Sequence, residues 1–311
     1  MQIDVSSSPH HKPAGVGRIC DDPHAMTVSI SSSTLTISSR NHHHIKRIRR
    51  LYAHQERERT GLFYVEGLCF VAHAIQHCAK IEALVVCRPL LKHPYVPRLI
   101  QRVQRTGALI LDVTPDVFLS LSQAKDPQGI GAIVHQSWEQ LVQIRPEQEL
   151  CWIALQMVRS PGNLGTLLRT SDAVGGAGII LLDESTDPYD PSTVRATMGA
   201  VFRQRFVRTT VAEFRRWKRD SPYRLVGTSP SATTDYHMVS YDTPTILLMG
   251  EERKGLPPEL QSLCDMMVSI PMVGEGDSLN LAVATSVMLY EMFNQKRDRA
   301  GPDASGVLEK E

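Results

Sequence analysis

The chain has 311 residues, of which 42% are hydrophobic, which is enough for two folded domains or one large one. Its formal net charge of +1 gives no overall attraction to nucleic acid, so any such binding must use local basic patches. No run approaches the ~20 apolar residues that a membrane-spanning helix needs. The chain also lacks the charged-then-apolar layout of a signal peptide, and early acidic residues such as Asp4 argue against a transit peptide. These features predict a cytoplasmic protein.

Residues 1–39 are polar and rich in serine, histidine and proline, without sustained periodicity. This composition predicts a disordered tail, in which residues 28–30 and 35–37 form at most marginal strands. The tail itself indicates no function.

The next segment, 40–60, is basic and carries Ile45, Ile48 and Leu51 at helical spacing, so it is predicted to be an amphipathic helix. Its basic side chains either contact phosphates or form a solvated helix face, and the segment alone supports both interpretations about equally. Three adjacent histidines at 42–44 lack the carboxylate or cysteine ligands that would indicate a metal site. The candidate RNA contacts are Lys46, Arg47, Arg49, Arg50, Arg57 and Arg59.

From residue 62 onward, strand and helix signals alternate in two blocks. The first block predicts a small α/β domain over 40–138, and the polar stretch 139–150 reads as a linker. The second block predicts a mostly parallel, helix-covered sheet over 151–295, followed by a flexible tail at 296–311. The predicted strands lie at 62–65, 81–87, 108–113, 130–134, 152–155, 179–182, 204–207, 224–228, 245–249 and 267–270. The predicted helices after the basic segment lie at 68–78, 96–106, 115–121, 166–174, 191–200, 211–219, 257–264 and 281–293.

Three loops of the second block combine glycine with polar side chains, and loops that follow parallel strands gather at the ligand-binding edge of a sheet. The first loop contains Asn163, and Arg169 lies six residues later on the following helix. An amide and a guanidinium near a helix N-terminus suit an anionic or ribose-phosphate ligand. An N-cap asparagine and a surface arginine would have the same sequence, so both interpretations stay open.

The other two loops lie at 250–256 and 271–280. The former is not a Walker A loop, because it lacks the four-residue gap between glycines and the Lys-Ser/Thr pair. Its adjacent Glu251 and Glu252 suit either a charged turn or acid–base and metal chemistry. In the latter, Ser278 and Asn280 are good N-caps for the last helix, but a long glycine-containing approach is more than a cap requires.

Together the loops resemble the motifs of the SpoU/TrmH family of RNA ribose 2′-O-methyltransferases, in the SPOUT superfamily. The family's Asn-Leu-Gly turn with a following Arg is similar to residues 163–169, and its Gly-x-Glu-x-x-Gly-Leu motif is similar to 250–256. Its Ile-Pro-Met and Ser-Leu-Asn motif is similar to 270–280. The order and spacing of all three make the resemblance specific. More loosely, residues 41–67 resemble the ribosomal-protein-like RNA-substrate-binding domain of many members.

The resemblance implies an α/β fold whose C-terminal SPOUT-type parallel sheet has helices on both faces and a trefoil knot. It also implies S-adenosylmethionine as cofactor, RNA as substrate with ribosomal RNA favoured over tRNA, and a homodimer whose active site is completed across the interface. The implied cofactor contacts are Thr228, Gly250, Ile270, Met272 and Leu279. The implied catalytic residues are Arg169, Asn163, Glu252, Ser278 and Asn280.

The chemistry of methyl transfer bears on the role of Arg169. The sulfonium of the cofactor is already a strong methyl donor, so the protein mainly positions the reactants and assists the loss of one proton. A guanidinium with a pKa of ~12.5 or higher is a poor base. Binding a phosphate and stabilising a developing alkoxide suit Arg169 better.

Two other classes of function compete with this one. A non-catalytic RNA-binding or ribosome-assembly protein would keep the same fold, but the intact motif residues speak against it. A nucleotide- or metal-dependent hydrolase would use Glu251 and Glu252, but the chain lacks a phosphate loop and metal-ligand spacing.

Overall fold

The computed structural model describes residues 33–146, 149–242 and 244–300. Its first sheet has five strands in the order β1-β4-β3-β5-β2. Strand β5 runs antiparallel to both of its neighbours, whereas the other pairs are parallel. The strands are β1 (Thr34–Ile37), β2 (Leu62–Glu66), β3 (Ile81–Val86), β4 (Leu109–Val113) and β5 (Ile130–His135).

Helices cover both faces of this first sheet. Because successive side chains of a strand point to opposite faces, β2 shows the division. Phe63 shares a buried cluster with Val71 and Ile100, which lie on α3 (Leu68–Gln76) and α4 (Val96–Arg105). Tyr64, on the other face, packs in a cluster with Ile48 of α1. The remaining helices of this part are α1 (His43–Arg50), α2 (His54–Thr60) and α5 (Pro115–Leu119).

The structure corrects the predicted tail and the predicted single basic helix. Residues 34–37 form β1, which pairs in parallel with β4 and buries Ile37. Because its partner strand lies far along the chain, the polar composition around it did not reveal this pairing. Residues 1–32, including the marginal strand at 28–30, lie outside the described residues. The basic segment forms two helices, α1 and α2, separated by residues 51–53.

The second sheet has seven parallel strands in the order β10-β12-β9-β11-β6-β7-β8, which confirms the predicted parallel sheet. Every residue of its central strands β6, β7 and β11 is buried, as expected for strands covered on both faces. The strands are β6 (Trp152–Gln156), β7 (Gly178–Leu182), β8 (Phe206–Thr209), β9 (Arg224–Thr228), β10 (Thr234–Asp235), β11 (Thr245–Met249) and β12 (Met266–Ser269).

The helices of this second sheet are divided between its faces. One face packs against α6 and α10, whose Leu167 and Met288 share a cluster with Ile153. The other face packs against α8 and α9, whose Phe214 and Leu260 cluster with Trp152. These helices and the connecting one are α6 (Pro161–Ala173), α7 (Pro191–Thr197), α8 (Val211–Arg219), α9 (Pro258–Gln261) and α10 (Leu281–Ala300).

Two further features complete the fold. Helix α10 continues to Ala300, so the predicted tail is wrong for residues 296–300, and residues 301–311 lie outside the described part. Among the described residues, no helix combines the length and the apolar character that crossing a membrane requires.

The first sheet with its helices (the first part) and the second sheet with its helices (the second part) share a buried core. Phe63 of β2 lies against Tyr189 and Phe202 of the second part, with ring centroids 4.7 and 6.1 Å apart. The same cluster continues from Val71 of α3 to Leu155 of β6. The second part therefore packs on the face of the first sheet that carries α3 and α4, and α1 lies on the opposite face.

Candidate active site

A cavity of about 300 Å³ lies at the carboxyl ends of β9, β11 and β12. The chain leaves each of these strands at the cavity wall, because Thr228 ends β9, Gly250 follows β11 and Ile270 follows β12. This is the edge at which parallel α/β sheets bind ligands. All five residues implied as cofactor contacts line the cavity, namely Thr228, Gly250, Ile270, Met272 and Leu279.

Glycine at position 250 is required by a close approach of the backbone. The loop after β11 folds back on itself, and the Gly255 N–H donates to the carbonyl of Glu251 at 2.9 Å. A Cβ on Gly250 would lie 2.2 Å from the carbonyl carbon of Gly255, far inside contact distance. Gly255 itself has φ +66°, in the left-handed region that favours glycine. The two glycines therefore shape the turn that forms one cavity wall.

A chain of side-chain hydrogen bonds joins the three motif loops. The Asn163 amide donates to Oε1 of Glu252 at 3.2 Å, and the Asn280 amide donates to Oδ1 of Asn163 at 3.1 Å. Asn163 is not the N-cap of α6, because Ser160 accepts the hydrogen bond from the Asn163 backbone N–H. Asn280 does cap α10 as well, since its Oδ1 accepts from the Ala282 N–H at 2.9 Å. The amide of Asn163 therefore connects the loops and does not cap the N-terminus of helix α6.

The third loop forms an exposed wall of the cavity. Residues 271–280 are exposed throughout, and Ser278 lines the cavity together with the apolar side chains of Met272 and Leu279. Those two side chains are each 37% exposed in the single chain. An apolar wall that remains open to solvent is suited to contact with a ligand or another chain.

Arg169 lies outside the cavity lining. It is exposed on α6, six residues or about 9 Å of helix rise beyond Asn163. In the described parts of the chain, no group forms a hydrogen bond or ion pair with its guanidinium. The neighbouring Thr170 hydroxyl lies 3.0 Å from the Ser286 hydroxyl of α10, so Arg169 is beside the contact of α6 with α10.

Several cavity residues were missed by sequence reasoning. Gln261 of α9 lines the cavity and donates to the carbonyl of Leu256 at 2.7 Å, which supports the end of the second loop. Leu281 and Ala284 of α10 form an apolar wall. Their position on the first turn after the Ser-Leu-Asn motif was an available signal, because side chains one turn apart on a helix share a face.

A cysteine near the cavity, Cys264, has a thiol of raised pKa. A Cβ on Gly227, the residue before Thr228, would lie 2.7 Å from Sγ of Cys264. Burial raises the pKa of the Cys264 thiol to about 12. The thiol therefore stays protonated at neutral pH and does not act as a competing nucleophile.

The prediction that Arg57 contacts RNA is wrong, because its side chain is 2% exposed. Its guanidinium binds the carboxylates of Asp187 at 2.8 Å and Asp190 at 3.2 Å. It also donates to the backbone carbonyls of Leu51 and Tyr52, at 3.0 and 2.8 Å. A charge this deeply buried needs full pairing, and Arg57 obtains it across the contact between the two parts of the molecule.

Most of the other predicted RNA contacts are also engaged within the protein. Arg47 pairs with Glu82, and Arg59 pairs with Glu56. Arg49 donates to the hydroxyl of Ser120 at 2.7 Å. Lys46 and Arg50 are exposed and form no side-chain hydrogen bond or ion pair with the residues that the structure describes.

Comparison with known proteins identifies the family. A family model described as "SpoU rRNA Methylase family" matches residues 151–290, and one described as "MRM3-like substrate binding domain" matches residues 42–132. A 23S rRNA (uridine(2479)-2′-O)-methyltransferase from Streptomyces viridochromogenes is 31% identical over 248 residues, covering 78% of this chain and 85% of that protein. The chain belongs to the SpoU methylase family. The family predicted from the three loops is therefore confirmed.

Solved structures of similar methyltransferases share the fold. A crystal structure of an AdoMet-bound rRNA methyltransferase from Sinorhizobium meliloti matches with a TM-score of 0.78 and 38% identity, covering 84% of this chain and 98% of that one. A SpoU methyltransferase from Streptomyces viridochromogenes in complex with AdoMet matches with a TM-score of 0.75 and 28% identity, covering 83% and 99% of the two chains. S-adenosylmethionine (AdoMet) is bound in both of those proteins.

Proposed function

We propose that this protein transfers a methyl group from S-adenosylmethionine to a ribose 2′-hydroxyl of ribosomal RNA. The observation that carries the proposal is the hydrogen-bonded chain Asn280–Asn163–Glu252, which joins the first motif loop to the two loops that line the cavity. Membership of the SpoU methylase family and the ribosomal RNA activities named for its relatives support the same reaction.

The residues of the cavity fit the cofactor. Its volume of about 300 Å³ lies at the lower end of small-ligand sites. Apolar side chains such as Met249 and Ile270 suit the adenosine rings, and Glu251 and Glu252 place carboxylates in the wall that suit a positively charged sulfonium. Thr228, Gly250 and the residues around them would hold the cofactor through the backbone at the strand ends.

When bound, S-adenosylmethionine supplies an electrophilic methyl group, so the protein mainly orients the ribose and favours loss of the hydroxyl proton. Glu252 is held by Asn163, which fixes its carboxylate at the cavity wall. Ser278 lines the cavity on the side from which the ribose would approach, and Asn280 lies two residues further along the chain, outside the lining and hydrogen-bonded to Asn163. Arg169 stabilises negative charge on the ribose oxygen or on a neighbouring phosphate, because a guanidinium group donates several charge-assisted hydrogen bonds to anionic oxygens.

A homodimer would complete this site. Val283 and Tyr290 of α10 are 50% and 48% exposed, and they lie seven residues apart on one helix face. This face adjoins the exposed Met272–Leu279 wall of the cavity, and Arg169 lies beside the α6–α10 contact. Pairing of two copies through α10 would cover the apolar face and bring Arg169 to a cavity.

Three other expectations from the sequence stay predictions. They are the trefoil knot, the cytoplasmic location and the domain limits of 40–138, 139–150 and 151–295. The ranges of the two family models, 42–132 and 151–290, support those limits.

The test is a methylation assay with purified protein, radiolabelled S-adenosylmethionine, and transcripts of ribosomal RNA and tRNA. Label in a ribose 2′-O-methyl nucleoside of ribosomal RNA is expected. Label in tRNA alone would show that the substrate is tRNA and that the reaction is still methyl transfer to a ribose. Calorimetry without detectable S-adenosylmethionine binding would instead favour a non-catalytic RNA-binding protein of the same fold.

A further inference from the structure

Helix α4 carries a stripe of three exposed arginines that have no acidic partner among the described residues. Arg98, Arg102 and Arg105 are all exposed, and none forms a hydrogen bond or ion pair with any residue in the described ranges. At spacings of four and three residues they share one helix face and extend over about 10 Å. The opposite face of the helix buries Val96, Leu99, Ile100 and Val103, so the arginines are held outward by the packing of the helix.

The surroundings of the stripe increase its positive charge. Helix α4 contains no acidic residue. Lys92 and His93 precede it and are exposed, and Tyr95, next to its first turn, is 39% exposed. Stripes of positive charge with an exposed aromatic ring are typical of surfaces that bind phosphates and stack bases.

Helix α4 lies on the face of the first sheet that packs against the second part. Ile100 and Val103 of α4 belong to the same buried cluster as Ile153 and Leu155 of the second sheet. Helix α1, by contrast, packs through Ile48 into the cluster on the opposite face of the first sheet. The arginine stripe is therefore on the side of the first sheet against which the second part packs.

We infer that the RNA substrate docks on this face of α4, with Arg98, Arg102 and Arg105 binding backbone phosphates and Tyr95 stacking on an unpaired base. The inference rests on the proposed function, since it assigns the RNA-binding surface of the same enzyme. It moves the RNA contact of the first part from the basic segment 40–60 to a helix that the charge pattern of the sequence did not single out.

The test compares RNA affinity in three matched forms of the full chain. In R98Q/R102Q/R105Q, affinity for a 23S ribosomal RNA transcript is expected to fall about tenfold or more at physiological salt. The slope of log affinity against log salt is expected to flatten by about 2 to 3. The conservative R98K/R102K/R105K should retain most of the affinity, because lysine keeps the charge.

The control is R215Q/R216Q/R219Q on α8, which removes the same number of charges from another face. Phe214 places α8 on the side of the second sheet opposite to α6, so this variant should bind RNA nearly as well as the original chain. An α4 variant with unchanged affinity and salt slope overturns the inference, and so does an equal loss in the α8 control. Failure of the proposed function looks different: RNA would bind α4 as inferred, but no ribose would be methylated.

Discussion

Two regions of the first part are both rich in basic residues, but they differ in whether the basic side chains are paired within the protein. In the segment 40–60, Arg57 is buried between Asp187 and Asp190, and Arg47 and Arg59 are paired with glutamates. In α4, three arginines are exposed and unpaired within the described residues. The difference teaches that a count of basic residues does not reveal which charges are available to a ligand, because their acidic partners come from distant segments.

The largest effect is expected for Arg57→Ala. Its removal leaves the carboxylate of Asp187, 7% exposed, without its main partner, and breaking a buried ion pair costs about 3–5 kcal/mol of unfolding free energy. Urea denaturation would measure this loss. The matched control is Arg59→Ala, whose guanidinium is 68% exposed, so that its pair with Glu56 on the same helix is screened by solvent and contributes little to stability. Equal losses for the two variants would break the comparison.

Arg169→Ala should affect the reaction and leave the fold intact. We expect methyl transfer to fall about 10²–10³-fold, as when a group that stabilises transition-state charge is removed. The free energy of unfolding should change by no more than about 0.5 kcal/mol, because the exposed side chain has no partner among the described residues. Transfer rates and thermal unfolding separate the two effects, and undiminished transfer would contradict the assigned role.

Asn163→Ala tests a residue outside the cavity lining that supports the cavity residue Glu252. Its amide takes part in two side-chain hydrogen bonds, each contributing about 1 kcal/mol. Losing both should weaken S-adenosylmethionine binding about tenfold, because Glu252 and Asn280 lose their common support. Calorimetry would measure the affinity, with the exposed Thr166→Ala of the same helix as control. If both variants bound the cofactor equally well, the hydrogen-bonded chain would not shape the site.

The smallest effect is expected for K46Q/R50Q, which removes the two basic side chains of α1 that form no hydrogen bond or ion pair with the described residues. RNA affinity should fall by less than about threefold, because α1 lies on the opposite face of the first sheet from the methyltransferase part. Filter binding beside the α4 triple variant would measure it. A loss of affinity as large as that of the α4 variant would instead indicate that RNA contacts the basic segment 40–60.

The sequence revealed much of the fold and of the cavity. Six of the seven strands of the second part follow from local periodicity, whereas the two-residue strand β10 was not predicted. The five cofactor contacts implied by the motifs line one cavity, including Gly250 and Met272. Glycine requirements such as that at Gly250 are also local, because the close approach involves Gly255 in the same loop. Strand β1 was predicted only as a marginal strand at 35–37 within a disordered tail, since its pairing with β4 is not a local property.

Local patterns by themselves thus determined the family, the parallel sheet and the loops that form the cavity. Only the tertiary structure decided which side chains meet. Asn163 lies 89 residues from Glu252 and 117 from Asn280, yet the three are hydrogen-bonded. Arg57 lies 130 residues from Asp187. Whether a charged group is buried, paired or free depends on such distant neighbours, and the spacing of residues along the chain does not record them.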